Sequence, residues 1–576
     1  MGITSHAGKP SETGIPLLLQ DTVDGAVDYK GRPAIRSRFG GWRSAFLIIG
    51  VEVAERIAYY GIASNLISYL TGTLGQSTAM AASNVNAWSG VTSLLPLLGA
   101  VVADSFLDRY RTIVASSLIY ILGLGLITLS AILPFLIHFK CQKTTESTPC
   151  YSARLQMILF FFALYLVAVG TAGHKPCVQA FGADQFDGQD PKEAKAKSSF
   201  FNWWYFSIAI GPSVTVSVLN YIQDNLNWGL GFGIPCVTMA IALIIFVLGT
   251  STYRYSIRSE ERSPFVRISQ VFVTAIRNRH TTPSAIDVAQ EAEGILPQQN
   301  SHQFRFLNKA LIGPDGSKKD GKGCSIADIE EAKAVIRLIP IWAVCLAYAI
   351  VFAQSSTFFT KQGVTMDRSI GSGIAIPAAS LQSFISIVII VFIPIYDRVL
   401  VPIARTLTQK PAGITMLQRI GTGMLISLIS MVIAALVESK RLEVALEHGL
   451  IDLPKATVPM SVWWLVPQYA LFGVADVFTM VGLQEFFYDQ VPNELRSVGL
   501  SLYLSIFGVG SLLSSLLVSA INEATGRDGK ESWFSDNLNR AHLDYFYWLL
   551  AGLSAVGLAL FISFAKSYIY NRKNVI

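Results

Sequence analysis

Apolar and polar positions alternate along this chain in long blocks. Twelve blocks hold roughly 20 or more mostly apolar residues, the length a helix needs to cross about 30 Å of hydrocarbon. The first six cover 44–71, 84–103, 112–137, 155–181, 199–222 and 228–250. The last six cover 334–360, 372–398, 414–437, 462–487, 497–521 and 543–568. The longest polar segment, 251–333, divides them six and six. The pattern predicts an all-α membrane protein of twelve transmembrane helices. It has a polar tail at 1–43, a six-helix bundle at 44–250, a linker at 251–333 and a second six-helix bundle at 334–570. Short amphipathic helices are expected in the linker, with disorder around 313–323.

Composition removes the soluble alternative. Of 576 residues, 52% are hydrophobic and 15% charged, where soluble domains average about 25% charged. The mean hydropathy is +0.45. The net charge of +6 is spread between the apolar blocks rather than gathered in one patch. No nucleic-acid partner is therefore expected.

The basic residues fall on alternate loops. The tail, the loop of Arg109 and Arg111, the loop of Lys192, Lys195 and Lys197, the linker, the loop of Arg398, Arg405 and Lys410, and the C-terminal Lys566, Arg572 and Lys573 share one side. By the positive-inside rule that side is cytosolic. The tail shows no early apolar core of signal-peptide type, so insertion is left to the first span. Cys141 and Cys150 then share a loop on the opposite side and are candidates for a disulfide. Cys177, Cys236 and Cys345 read as packing residues, and Cys324 belongs to the linker.

The halves echo each other. The loop after the second span holds Asp104 and Arg109, and the loop after the eighth holds Asp397 and Arg398. Repeated Asp-Arg pairs at equivalent positions suit a latch between bundles. Two six-helix repeats with a midplane site between them is the major-facilitator arrangement.

Ionisable side chains inside a bilayer cost about 2.5–3.5 kcal/mol each on insertion scales, so each needs a reason. The first span carries Glu52, Glu55 and Arg56, whose i, i+3, i+4 spacing puts them on one helical face. Tyr59 and Tyr60 extend that face. Two carboxylates sharing one guanidinium make a coupled, proton-accepting group. Lys175, deep in the fourth span, needs an anion, with Glu52, Glu55 and Asp476 available. A Lys175–Asp476 contact would join the two halves. His174 points about 100° away from Lys175 on a helix and reads more as a packed or hydrogen-bonded histidine than as a proton carrier. Phe352, Gln354 and Asp476, with Tyr59 and Tyr60, suit a cavity for a small solute. Trp203, Trp204 and the neighbouring Asn202 and Tyr205 offer similar groups. Glu485 and Asp489 read as structural or gate residues. No Gly-Lys-Ser/Thr nucleotide loop, metal-ligand spacing or nucleophile elbow occurs. No catalytic residue, metal or cofactor is expected, protons serving as the coupling ion.

These residues carry a pattern. Glu52-Val-Ala-Glu55-Arg56-Ile-Ala-Tyr59-Tyr60-Gly61 resembles the first-helix motif of the proton-dependent oligopeptide transporter family, in its plant nitrate/peptide branch. Gly173-His-Lys175-Pro-Cys177, Phe181-Gly-Ala-Asp184-Gln-Phe186-Asp187, Phe200-Phe-Asn202-Trp-Trp-Tyr205-Phe206, Glu485-Phe-Phe-Tyr-Asp489-Gln490 and Asp536-Asn-Leu-Asn-Arg540 match as well. The resemblance runs from 40 to 566. It implies the major-facilitator fold and proton symport by alternating access, with Glu52, Glu55, Arg56 and Lys175 in proton coupling. It also implies that the tenth-span acid, usually Glu and here Asp476, binds substrate or pairs with Lys175. Phe352 stands where well-understood nitrate carriers have His. Thr112 matches a regulatory phosphorylation position, which would make a kinase a partner; a Thr at a span start is also an ordinary cap.

The expected function is proton-coupled symport of a small solute, whether nitrate, a di- or tripeptide, or a plant metabolite or hormone. The alternatives are a low-affinity nitrate transporter or sensor of the vacuolar membrane and, from another class, a membrane-embedded enzyme. The address lies between vacuolar and plasma membrane. Leu17-Leu18-Leu19 after Glu12 loosely resembles an acidic dileucine signal, and the family resemblance, whose plant members include vacuolar carriers, leans the address to the vacuole.

Overall fold

The computed structural model describes residues 22–105, 107–141, 153–187, 190–256, 264–279, 304–311, 324–370, 374–408, 414–491, 496–527 and 531–568. The first half holds α1 (Gly41–Ala63), α2 (Leu66–Gly72), α3 (Thr78–Ser105), α4 (Arg109–Cys141), α5 (Ala153–Ala183), α6 (Pro191–Asn225) and α7 (Trp228–Leu248). Next come α8 (Pro264–Arg277) in the linker, α9 (Ile326–Phe352), α10 (Phe358–Val364), α11 (Ser383–Ile395) and α12 (Val401–Thr408). The chain closes with α13 (Met416–Glu447), α14 (Val466–Asp489), α15 (Arg496–Thr525) and α16 (Leu543–Ser567). Eleven of these run 21 to 35 residues. The remaining span, the eighth in chain order, is made of α11 and α12 joined by a π-helical turn at Tyr396–Leu400.

Among the described residues, nine segments are apolar enough to cross a membrane by composition alone. The long helices that fall short are α1, α3 and α6. Their polar residues face protein: Glu52, Glu55, Asn86, Thr92, Thr215, Asn220 and Gln223 are all buried. A membrane helix tolerates such residues on a face the bundle covers.

Caps and breaks set the ends. Ser325 and Asp328 form a capping box that starts α9 at Ile326 rather than at the expected 334. A second box, Thr415 with Gln418, starts α13. Asp190 accepts from the Glu193 amide at 2.9 Å, with Pro191 in the first turn of α6. The span expected at 44–71 breaks at Ser64-Asn65, where Ser64 Oγ lies 2.8 Å from Asn220 Oδ1 of α6. The span expected at 334–360 stops at Phe352, because Gln354–Thr357 turn before α10.

Helices α1 and α3–α7 form one bundle; α9, α11 and α13–α16 form the other. The amphipathic α8 lies against the start of α9, where Arg267 stands 3.5 Å from Glu331. That end of the molecule is called the linker face below. The stretch expected to be disordered, around 313–323, lies outside the described residues.

The bundles meet along α3 and α15. A Cβ on Gly90 would stand 2.9 Å from the Gly508 carbonyl, so the crossing needs glycine. Toward the opposite, far face the seam is polar. Ser83 Oγ lies 2.7 Å from Ser515 Oγ, and Ser217 Oγ lies 3.1 Å from Ser383 Oγ. Asn86 donates to Ser514 at 3.0 Å, Gln382 to the Ser64 carbonyl at 2.8 Å, and the Thr78 amide to Asp536 at 2.7 Å.

The linker face adds structure that hydropathy did not predict. Strands β1 (Thr22–Val27), β2 (Pro33–Ile35) and β3 (Tyr255–Ser256) form a sheet of order β2-β1-β3. In the β1–β2 turn the backbone amides of Arg32 and Lys30 bond Asp28 and hold its carboxyl below the usual range. Arg254, 1% exposed, donates to the Phe39 carbonyl at 2.7 Å and to both Glu193 oxygens at 2.6 and 2.9 Å. Gln185 accepts from the Arg254 amide, and Asp187 pairs with Arg36 at 2.6 Å. The Phe181–Asp187 motif is thus the joint that ties the N-terminal sheet to the first bundle.

Candidate functional site

Helix α1 turns Glu52, Glu55 and Arg56 into the first bundle on one face, as their spacing requires. Glu52 is 1% and Glu55 0% exposed. Arg56 donates from Nε to Glu52 Oε1 at 2.7 Å, with Nη2 at 2.6 Å from the same oxygen; Glu55 Oε2 lies 3.4 Å away. One guanidinium therefore faces two carboxylates and satisfies neither completely. Glu52 Oε2 and both Glu55 oxygens have no hydrogen-bond partner.

Above this group Tyr59 stacks on Trp88, with ring centroids 5.6 Å apart, and Tyr60 meets its edge at 5.3 Å. Trp88 is anchored by its indole N–H, which donates to the Leu164 carbonyl at 3.0 Å. Lys175 comes from α5. Its ammonium sits over the Tyr59 ring, 4.0 Å from the centroid, as a cation–π contact. It is within electrostatic range of Glu55 and Glu52. Pro176 follows it inside the helix and removes one backbone hydrogen bond there.

The second bundle faces this with one acid. Asp476 of α14 accepts a hydrogen bond from Tyr348 of α9. Phe472 lies parallel to Tyr348 at 6.2 Å, and Phe352 packs against Phe472 at 5.9 Å and Phe507 at 5.3 Å. Tyr60 of the first bundle lies within electrostatic range of Asp476 of the second.

Two expectations are corrected, the Lys175–Asp476 contact and the cavity role of Gln354; the other expected residues stand as follows. The Asp476 carboxylate is held by Tyr348, and Lys175 stays on its own side over Tyr59, so the Lys175–Asp476 contact is not made in this conformation. Gln354 does not face a cavity. It is fully buried and donates to the Ile350 carbonyl and to Ser514 Oγ at 2.9 Å, extending the Asn86–Ser514 seam. Arg109 pairs at 2.5 Å with Asp184 of its own bundle, and Ser256 also donates to Asp184. Arg398 is exposed beside the π-turn, and the side chains of Asp104 and Asp397 lie outside the described residues. The interbundle hydrogen bonds named above lie toward the far face, away from this proposed latch. Trp204 is a packing residue against Phe200, and Trp203 points outward. Thr112 is buried and donates to the Asp108 carbonyl at 2.9 Å, the bonding of a residue closing a helix start. Cys150 and the Cys141 side chain lie outside the described residues. Cys236, Cys324 and Cys345 carry free thiols. Glu485 lies 3.4 Å from Arg419, which covers the Tyr396 ring.

Trp88, Tyr120 and Tyr348 escaped the sequence reading. Tyr348 had a signal, since it stands one turn before Phe352 on the same face of α9. Trp88 had less, being a lone aromatic among Ser and Asn.

A family model described as "POT family" matches residues 110–534. Across 99% of both chains, the chain is 63% identical to Protein NRT1/PTR FAMILY 5.10 of Arabidopsis thaliana. The chain belongs to the POT family, in its plant NRT1/PTR branch. It is also 60% identical to Protein NRT1/PTR FAMILY 5.14 of the same plant, over 96% of this chain and 98% of that one. Its fold matches the crystal structure of an auto-inhibited POT family peptide transporter with a TM-score of 0.69 at 22% identity, covering 92% of this chain and 99% of that one. Membership makes it a multi-pass transporter of major-facilitator fold, and the family is one of transporters rather than enzymes.

Proposed function

We propose that this transporter couples the downhill movement of protons to the uptake of a small solute, with Glu52, Glu55 and Arg56 as the proton-accepting group and Lys175 as its switching partner. The observation that carries the reading is the unequal sharing of Arg56. Two buried carboxylates compete for one guanidinium, and the one set farther from it, Glu55, has Lys175 in electrostatic range. A proton arriving on Glu55 frees both cations to attract an anionic group of the solute, and its departure draws them back. The seam toward the far face supports alternating access, since opening there must break the Asn86–Ser514 and Thr78–Asp536 bonds.

The solute sits between a cationic half-site, with Arg56 and Lys175, and a half-site of Tyr348, Phe352, Phe472 and Asp476. The solved structures it resembles include peptide transporters, and the resemblance to the plant nitrate/peptide branch adds nitrate. The aromatic wall suits a solute with an apolar body at least as well, with Phe352 standing in it. The side carrying the linker is read as cytosolic, in the vacuolar or plasma membrane.

Purified protein in liposomes under an imposed pH gradient tests this reading. Accumulation of at least one solute from a panel of nitrate, dipeptides and organic anions should track the gradient. Uptake of every solute indifferent to the gradient would refute coupling.

A further inference from the structure

Behind the Glu52–Glu55–Arg56 group lies a second layer of polar atoms that the coupling scheme leaves unused. His174 is 0% exposed, and neither ring nitrogen has a hydrogen-bond partner. The Tyr120 hydroxyl and the Ser117 hydroxyl of α4 are also fully buried and without partners. Three carboxylate oxygens, Glu52 Oε2 and both of Glu55, are likewise buried without partners. Glu55, Arg56 and Lys175 lie within electrostatic range of His174, and Glu52, Glu55, Arg56 and Tyr59 within range of Tyr120.

The backbone brings this layer together. Gly170 lets α5 approach α4 so closely that a Cβ there would stand 2.7 Å from the Tyr120 Cα. One turn on, Gly173 does the same against Thr112 and Ser116, and His174 follows directly. Glu52, Tyr120 and His174 each stand roughly ten residues from the linker-face end of their helix. At 1.5 Å per residue that is about 15 Å, half the hydrocarbon thickness. All three therefore sit within about one helical turn of the same depth.

The unbonded atoms are complementary. Three are carboxylate oxygens, which accept when ionised. A neutral imidazole offers one donor and one acceptor, and each hydroxyl offers a donor. A cluster of unbonded buried polar atoms is strongly unfavourable unless water or proton sharing completes it.

We propose that His174, Tyr120 and Ser117 form, through buried water, a donor layer to the Glu52 and Glu55 carboxylates, and that His174 is thereby a positioning residue that sets the pH at which Glu55 gives up its proton. This rests on the proton-coupling reading of Glu55. Neutral His174 gives its N–H toward the Glu55 side of the water, and its bare nitrogen accepts from the Tyr120 or Ser117 side. The other ionisable groups on these faces are Arg56, Tyr59 and Tyr60 from α1 and Lys175 from α5. Helices α3 and α6 add Trp88 and Gly211, which do not ionise. Donors to a carboxylate favour its charged form, so their loss lets Glu55 keep its proton to higher pH and slows release.

The test compares gradient-driven uptake with counterflow, which exchanges solute without net proton movement, in liposomes across a pH series. In H174F the ratio of driven uptake to counterflow should fall roughly tenfold. The pH of half-maximal uptake should rise by about half a unit. H174Q, which restores a donor, should recover part of both, and Y120F should shift the profile the same way by less. Thermal unfolding in detergent checks that each variant is folded. Wild-type ratio and pH profile in both folded His174 variants and in Y120F would overturn the proposal. A wild-type protein that ignores the gradient would instead overturn the coupling reading, so the two failures are distinguishable.

Discussion

Two glutamate–arginine pairs lie deep in this molecule, one in each bundle, built from the same groups at nearly the same helical spacing. In the second bundle, Arg441 of α13 gives Nε and Nη2 to the two oxygens of Glu438 at 2.9 and 2.7 Å. Its remaining donors reach Asn539 and the Leu538 carbonyl, both at 2.7 Å. Both side chains are 0% exposed, and none of their polar atoms is left without a partner. In the first bundle, Arg56 faces two carboxylates and leaves three oxygens without hydrogen bonds. A buried ion pair that is fully bonded has one state and holds two segments together. One that is over-supplied with anions has several states of similar energy, separated by a proton. The Glu438–Arg441 pair is a clamp on the 531–541 loop, whose Asp536 reaches across to α3; the Glu52–Glu55–Arg56 group is the proposed switch.

The largest effect should come from breaking the clamp. Arg441→Met strands the Glu438 carboxylate and should destabilise the protein by about 3–5 kcal/mol, read as a large drop in unfolding temperature in detergent. The double variant with Glu438→Gln should regain much of it. If the single variant melted like wild type, the clamp would be no clamp.

Glu55→Gln makes the opposite test at the switch. It removes a surplus charge, so the unfolding temperature should hold or rise slightly, while gradient-driven accumulation falls by roughly 10- to 100-fold. Unchanged accumulation in liposomes would remove Glu55 from coupling. Smaller changes should follow at the half-site that holds one acid. Tyr348→Phe takes a charge-assisted hydrogen bond from Asp476, worth about 1.5–3 kcal/mol. It should change solute affinity by at least several-fold in a binding measurement, with the pH profile of uptake kept. Smallest is the seam: Asn86→Ala removes one neutral hydrogen bond of about 1 kcal/mol. It should move the balance of conformations toward far-face opening by about fivefold, seen as faster labelling of a cysteine placed there.

The switch was legible in one dimension, and the clamp was not. Three ionisable residues inside an apolar block announce themselves, because a bilayer charges for each. Glu438 and Arg441 fall just past the block that ended at 437, where polar residues look like the start of a loop. The helix runs on to Glu447, and its partners at Leu538 and Asn539 are remote in sequence. Gln354 failed for a related reason. A polar residue among aromatics reads as cavity lining, but its partner Ser514 lies in another helix, and their contact makes it part of a seal.

Hydrophobic block length settles the all-helical membrane architecture and its division into two halves, since a bilayer imposes one thickness on every span. Helical periodicity settles that Glu52, Glu55 and Arg56 share a face. Which carboxylate takes the guanidinium, where the Lys175 ammonium rests, and which face of the seam is bonded depend on how separate helices approach. Those approaches hang on contacts such as Gly90 with Gly508 and Gly170 with Tyr120. Distances of that kind arise from packing between segments 50 to 418 residues apart, which no local pattern encodes.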